Sequence, residues 1–146
     1  MICPACKNDM IVVEYNRIEL DHCIRCQGTW FDSDELELLL KSMKLESRNL
    51  FLNNILNSPE TKSSERKRKC PICGKKMKKT TIGQQPEILI DVCQQGHGLY
   101  FDGGELNKLI RQLAEKQPEG EGAQHQVISF MGDVFKASDK LERQAG

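Results

Sequence analysis

Apolar side chains alternate with polar ones over two short stretches of the chain. Ile18, Leu20 and His22 take every second position, and so do Ile88, Ile90 and Val92. A period of two predicts a strand with one buried face. Each stretch is preceded by another strand-like run, Met10 to Tyr15 or Met77 to Ile82, across a turn around Asn16 or at Gly83 to Pro86. Two β-hairpins are therefore expected. After each comes an aromatic pair, Trp30-Phe31 or Tyr100-Phe101, and then the period changes to that of a helix.

From about Ser33 to Asn57, Leu36, Leu39, Leu40, Met43 and Leu50 form one helical stripe. Leu38, Leu45, Leu52 and Leu56 form a second on roughly the opposite side. One stripe covers the helix's own hairpin; two predict a further contact, with the other half of the chain or with a second copy in a homodimer through residues 33–57. Asp32 and Asp102 read as N-caps, with Glu35 and Glu105 at the third helical position of a capping box. The second helix is expected from Gly103 to Gln117, stopped by Pro118 and the glycines after it. Val127, Met131, Val134 and Phe135 predict an amphipathic helix in the tail.

The two halves are copies. Cys3-Pro4-Ala5-Cys6 matches Cys70-Pro71-Ile72-Cys73 at an offset of 67, and Met10 matches Met77. Cys23, Gly28, Trp30, Phe31, Asp32, Glu35 and Leu36 match Cys93, Gly98, Tyr100, Phe101, Asp102, Glu105 and Leu106 at an offset of 70. The three extra residues of the second copy are placed at the 83–86 turn, because loops accept insertions and strands do not. Agreement at this many positions makes a tandem repeat. The expected organisation is a first unit at 1–57, a basic linker at 58–69, a second unit at 70–117, a linker at 118–126 and a tail helix at 127–146.

Composition limits what such units can bury. Of 146 residues, 29% are charged and only 5% aromatic, and the mean hydropathy is −0.52. Lobes of roughly 40 to 60 residues need a metal, disulfides or a partner to stay folded. Seven cysteines, an odd number grouped mostly in C-x-x-C pairs, favour metal ligation in a reducing, cytoplasmic setting over a disulfide framework. No apolar run approaches the roughly 20 residues of a membrane span, and the N-terminus lacks a basic-then-apolar signal pattern.

Cys3, Cys6, Cys23 and Cys26 stand as C-x2-C-x16-C-x2-C. Two such turns at the ends of a hairpin bring four thiolates into a tetrahedron, which zinc accepts readily. A structural zinc contributes on the order of 10–16 kcal/mol in small finger domains, enough to replace a missing core. Iron in a four-thiolate site, as in a rubredoxin-like electron carrier, and a thiol redox switch are the alternatives. The second unit offers Cys70, Cys73 and Cys93. Where the first has Cys26 the second has Gly96, followed by His97. An imidazole reaches further from its backbone than a thiolate, so His97 is the expected fourth ligand of a site with three cysteines and one histidine, giving two zinc ions per chain. The alternative is a degenerate second lobe with His97 on its surface. His22 aligns with Val92 and reads as a partly buried strand residue, and His125 as solvated.

Net charge is zero but unevenly distributed. Eight acids face three bases from Met1 to Leu40, whereas nine bases face one acid from Lys62 to Lys79. That asymmetry either serves a partner or lets the halves dock. Arg66, Lys67, Arg68, Lys69, Lys75, Lys76, Lys78 and Lys79 could contact nucleic acid. The aromatic pairs could stack on bases, though their place before the helix favours core packing. Neither a nucleophile–base pair nor a phosphate-cradling glycine loop is present, and both metal sets are full, so no enzyme is expected.

The segments C-P-A-C and C-I-R-C-Q-G-T-W-F-D-S-D-E-L, with their second-half counterparts, resemble the transcription-factor-IIB-type zinc ribbon family of bacterial proteins. The resemblance covers about Met1 to Leu40 and Cys70 to Leu109. It implies zinc at Cys3, Cys6, Cys23 and Cys26; His97 lies outside the family's pattern. In the general transcription factor the ribbon contacts RNA polymerase, but that protein's cyclin-like domains have no counterpart here, so a transcriptional role does not follow from the ribbon itself. The expected fold is thus small α+β: two tandem zinc ribbons, each followed by a helix, with a C-terminal amphipathic helix. The expected function is a zinc-binding, non-enzymatic module for a macromolecule, a protein partner being favoured over nucleic acid.

Overall fold

The hairpins form where the alternation places them, and each gains a third strand. The computed structural model describes residues 1–45, 50–83 and 87–115. In the first repeat β1 (Ile11–Tyr15) and β2 (Ile18–His22) pair antiparallel across a two-residue turn. Both turn residues, Asn16 (φ 49°) and Arg17 (φ 65°), take the left-handed conformation that matches the twist of a tight hairpin. In the second repeat β4 (Lys78–Ile82) and β5 (Ile88–Val92) pair the same way. Tyr15 lies opposite Ile18 and Ile82 opposite Ile88, so the three additional residues lie between Ile82 and Ile88.

The aromatic pairs do precede the helices, but as strands of their own. They lie in short strands, here numbered in chain order as β3 (Thr29–Asp32) and β6 (Gly98–Phe101). β3 pairs with β2, β6 pairs with β5, and the two pair with each other, giving one six-stranded antiparallel sheet in the order β1-β2-β3-β6-β5-β4. Thr29 faces Phe101, Trp30 faces Tyr100, Phe31 faces Leu99 and Asp32 faces Gly98. Trp30 and Tyr100 are equivalent residues of the two repeats, so a local two-fold axis passes between them.

Successive side chains of β3 and β6 point to opposite faces of the sheet. Phe31 and Phe101 meet edge to face, ring centroids 5.6 Å apart, in a core with Leu20, Leu36, Leu39, Leu40, Ile90, Leu106 and Leu109. Trp30 and Tyr100 enter a second cluster, with Met10, Met77 and the cysteines. The helices thus occupy one face and the cysteine turns the other.

The helices depart from expectation in two ways. The long helix at 33–57 is two: α1 (Glu35–Ser42) and α2 (Leu52–Leu56), with 46–49 outside the described residues. Lys44 takes a left-handed φ of 57° and the Leu45 N–H returns to the Leu40 carbonyl at 2.8 Å, which ends α1. The Leu52 N–H at the start of α2 is capped by the Glu37 carboxylate of α1 at 2.7 Å. Leu45 and Leu52 are buried in the same core as the first stripe, Leu56 packs against it, and only Leu38 of the second stripe stays exposed. Leu45, Leu52 and Leu56 of that stripe are thus covered within the chain.

The caps differ too. Asp34, not Asp32, stands at the N-cap of α1, and its side chain makes no capping bond. Asp32 instead accepts the Trp30 indole N–H at 2.7 Å, and Asp102 accepts the Arg68 guanidinium at 2.7 Å. Glu35 does reach back to the Asp32 N–H at 3.3 Å, so half of the capping box forms. The second helix is α3 (Glu105–Glu115); residues 116–117 and the predicted tail helix lie outside the described residues.

Close packing at the junction gives a direct test. A Cβ on Gly98 would run into the Trp30 indole and the Phe31 carbonyl, which belongs to the paired backbone and cannot rotate away. Gly98→Ala is expected to cost about 2 kcal/mol or more of stability, measured by urea unfolding with the metal sites loaded.

Candidate metal centres

Each centre is built from two turns. In the first, the Cys3 N–H donates to the Asn8 carbonyl (2.8 Å) and the Lys7 N–H to the Cys3 carbonyl (3.0 Å). The second repeat reproduces this with Cys70 to Lys75 (2.8 Å) and Gly74 to Cys70 (2.9 Å). These bonds fold each C-P-x-C segment into a loop that aims both sulfurs inward.

The second turn differs between repeats in an informative way. After Cys23, Gln27 is the left-handed residue (φ 67°), its N–H bonds the Cys23 carbonyl at 2.9 Å, and the ligand Cys26 comes just before it. After Cys93, Gly96 is left-handed (φ 82°), its N–H bonds the Cys93 carbonyl at 2.9 Å, and His97 comes just after it. The turn is one residue tighter, and the longer imidazole makes up the distance. In both repeats the turn is closed by the first cysteine's N–H on the carbonyl of the matching glycine, Gly28 or Gly98.

The donor atoms converge. Cys3, Cys6, Cys23 and Cys26 form one group, and Cys70, Cys73, Cys93 and His97 the other, with the ligand atoms of each within 4.8 Å of one another. The edges Cys3–Cys26, Cys6–Cys23 and Cys73–Cys93 measure 3.6, 3.4 and 3.7 Å, and Cys93 Sγ to His97 Nδ1 is 3.4 Å. A tetrahedral zinc with ordinary bond lengths requires sulfur–sulfur edges of about 3.8 Å and sulfur–nitrogen edges of about 3.6 Å. Both groups match that size and chemistry. All seven cysteines are free thiols.

Within each group the thiols are unequal before any ion binds. Burial pushes Cys23 up to about 12 and Cys70 up to about 11. At Cys6 desolvation is outweighed by the Asn8 backbone and side-chain donors and by neighbouring thiols, and its pKa falls to about 6. At Cys73 the Lys75 N–H leads, with His97 and the other thiols assisting against desolvation, and the value falls to about 7. The second cysteine of each C-P-x-C turn is therefore the readier thiolate, the form that binds metal.

One contact to the first group comes from the other repeat. The Tyr100 hydroxyl lies 3.5 Å from both Cys3 Sγ and Cys26 Sγ. Burial, reinforced by those cysteines, pushes the phenol well above its ordinary range, so it stays protonated and can donate to a thiolate. Trp30, its counterpart, gives its N–H to Asp32, and among the described residues the second group has no equivalent aromatic donor. This role of Tyr100 was missed in the sequence, where it reads only as half of an aromatic pair.

His22 is fully buried, with Nδ1 3.0 Å from Thr29 Oγ1 and Nε2 3.1 Å from Gln27 Oε1; desolvation lowers its pKa. It braces the Cys23–Gly28 turn and is not a ligand. His125 lies outside the described residues. Trp30, Phe31, Tyr100 and Phe101 are fully buried, so base stacking is closed to them.

Much of the basic run is engaged within the fold. Lys79, 3% exposed, lies 2.7 Å from Asp91, itself 2% exposed, and 3.3 Å from Glu65. Arg68 bonds Asp91 (3.2 Å) and Asp102 (2.7 Å) beneath the Tyr100 ring, 5.5 Å from its centroid. Lys78 donates to the Leu56 and Ser58 carbonyls, and Lys67 pairs with Glu60. Of the eight cations expected to be available to nucleic acid, Lys78, Lys79 and Arg68 are thus committed to the fold. Lys7, Arg66, Lys69 and Lys76 make no ion pair among the described residues, and line a cleft of about 730 Å³ with Pro4, Ala5, Glu65, Lys67 and Arg68.

A family model described as transcription factor zinc-finger, the TFIIB-type zinc ribbon, matches residues 2–42 and 69–112, more than half of the chain. The protein belongs to that family, and each match encloses one complete donor group. No curated protein and no solved structure gives a significant match.

Elemental analysis of the purified chain is expected to find about two zinc ions per polypeptide, one lost with Cys26→Ser and the other with His97→Ala. Tyr100→Phe is expected to weaken the first site by about tenfold or more, as removal of a partner that orients a metal ligand does. Competition with a chromogenic chelator would show one of two zinc ions released earlier, the second site being unchanged.

Proposed function

We propose that the protein is a non-enzymatic module that uses two structural zinc ions to present a rigid sheet to a macromolecule, a protein partner being favoured, in a cytoplasmic and transcription-related setting. The observation that carries this is the closure of both donor groups. Each supplies four protein ligands, which leaves no position for the water or substrate that a catalytic zinc requires. Zinc is preferred to iron because the same fold holds one group of four thiols and one of three thiols and an imidazole, a pair that zinc accommodates without a geometric preference of its own. Among the described residues no helix is long and apolar enough to cross a membrane.

A nucleic-acid-binding regulator is the second reading, favoured by the cleft in which Lys7, Arg66, Lys69 and Lys76 gather. An iron electron carrier or thiol switch is the third; visible thiolate-to-iron absorption in the purified protein would support it and a colourless, zinc-loaded protein would remove its iron form. Capture from the native host at low and high salt, with and without nuclease, separates the first two. Salt-resistant, nuclease-resistant recovery of a protein is the expected result. Recovery of nucleic acid alone, lost steeply with salt as counterions compete, would replace the first reading with the second.

A further inference from the structure

The two repeats hold the same carboxylates in the same register but neutralise them differently. Asp91 lies opposite Lys79 as Asp21 lies opposite Val12, and Asp102 and Glu105 correspond to Asp32 and Glu35. In the second repeat the linker runs along the outer edge of β4. The Thr61 N–H donates to the Lys79 carbonyl (2.8 Å), and Thr80 Oγ1 donates to the Pro59 carbonyl (2.9 Å). The same segment then sets Arg68 on Asp91 and Asp102, while Lys79 holds Asp91 from within the strand.

In the first repeat both cation positions are vacated. Val12, 62% exposed, stands in place of Lys79. Met1 stands in place of Arg68: its carbonyl accepts the Met10 N–H as that of Arg68 accepts the Met77 N–H, both at 2.8 Å. Asp21, Asp32 and Glu35 remain half-buried with Glu19 beside them, and none of the four has an ion pair among the described residues. Burial, then the neighbouring Asp32, raises Glu35 to about 7. The outer edge of β1 is likewise uncovered among the described residues, and the Val12 carbonyl has no backbone donor of the kind Thr61 gives Lys79.

We infer that the β1 edge of the first repeat is a docking site for an extended, arginine- or lysine-bearing segment of a partner protein. The segment adds a strand against Val12 and sets a cation on Asp21, Asp32 and Glu35. The linker's hold on the second repeat is the internal template for both halves of that interaction: backbone pairing at the edge and a guanidinium on paired carboxylates. Val12 and Lys79 occupy the same ladder position, so the N–H and C=O of Val12 both face outward, as strand addition requires. The inference rests on the protein-binding reading above and assigns it a surface and a partner chemistry.

The test uses the zinc-loaded full chain and a labelled peptide copying Ser58 to Lys69, titrated by fluorescence anisotropy at moderate salt. Saturable one-to-one binding is expected, with slowed amide exchange at Val12. Val12→Lys restores the cation of the second repeat on an exposed side chain. It should weaken peptide binding by at least about tenfold, and so should the double variant Asp21→Asn, Asp32→Asn. Glu87→Gln, an exposed acid in the second repeat, should leave affinity unchanged. Absence of saturable binding, or equal binding to every variant, overturns the docking site. The protein-binding reading falls separately, if salt-resolved capture recovers no protein.

Discussion

The antiparallel pairing of β3 with β6 is the contact on which the rest of the structure depends. Either repeat alone would be a three-stranded sheet ending in an apolar strand with an open edge, the kind of edge that recruits other chains. Joining the two edges closes both. It also solves the shortage of apolar material, because Phe31 and Phe101 merge what would be two thin helical-side cores into one. On the opposite face the same pairing places Trp30 and Tyr100 between the metal turns. The metal centres and the sheet junction therefore share a cluster, and one centre takes a hydrogen-bond donor from the neighbouring repeat.

What could be read from the chain was local, and what could not was long-range. The hairpins, the cysteine turns and the position of the three-residue insertion follow from period-two alternation, from C-x-x-C spacing and from aligning one half on the other. β3 and β6 escaped because four-residue strands covered on both faces show no alternation. The break in the long helix escaped because Lys44, not glycine, takes the left-handed position that ends α1. The caps were misassigned for a different reason. Asp32 and Asp102 have the right chemistry for capping, but Trp30 and Arg68 claim their carboxylates, and the second of these lies 34 residues away.

Charge shows the same division. Counting acids and bases identified an acidic first unit and a basic segment from Lys62 to Lys79 that runs into the second, and docking of halves of opposite sign was one of the two outcomes that pattern suggests. Part of the basic segment turns on the second unit, because Asp91 is buried and an isolated buried carboxylate is costly, while Lys78 reaches the Leu56 carbonyl of the first. Lys79 and Arg68 are needed at Asp91, leaving the first unit's carboxylates without an equivalent. The two repeats share a backbone register while differing in what is bound to it, and comparing them separates the requirements of the fold from those of one copy.

The axis between Trp30 and Tyr100 carries a consequence for the protein's ancestry. On a two-fold axis a residue faces its own duplicate. A one-repeat ancestor that paired through this strand would have been a symmetric dimer, with one amino acid serving both sides. Fusion into a single polypeptide lifts that restriction, since each side is then encoded separately. An indole that binds its own aspartate and a phenol that reaches the neighbour's thiols are the unlike pair that such a release permits.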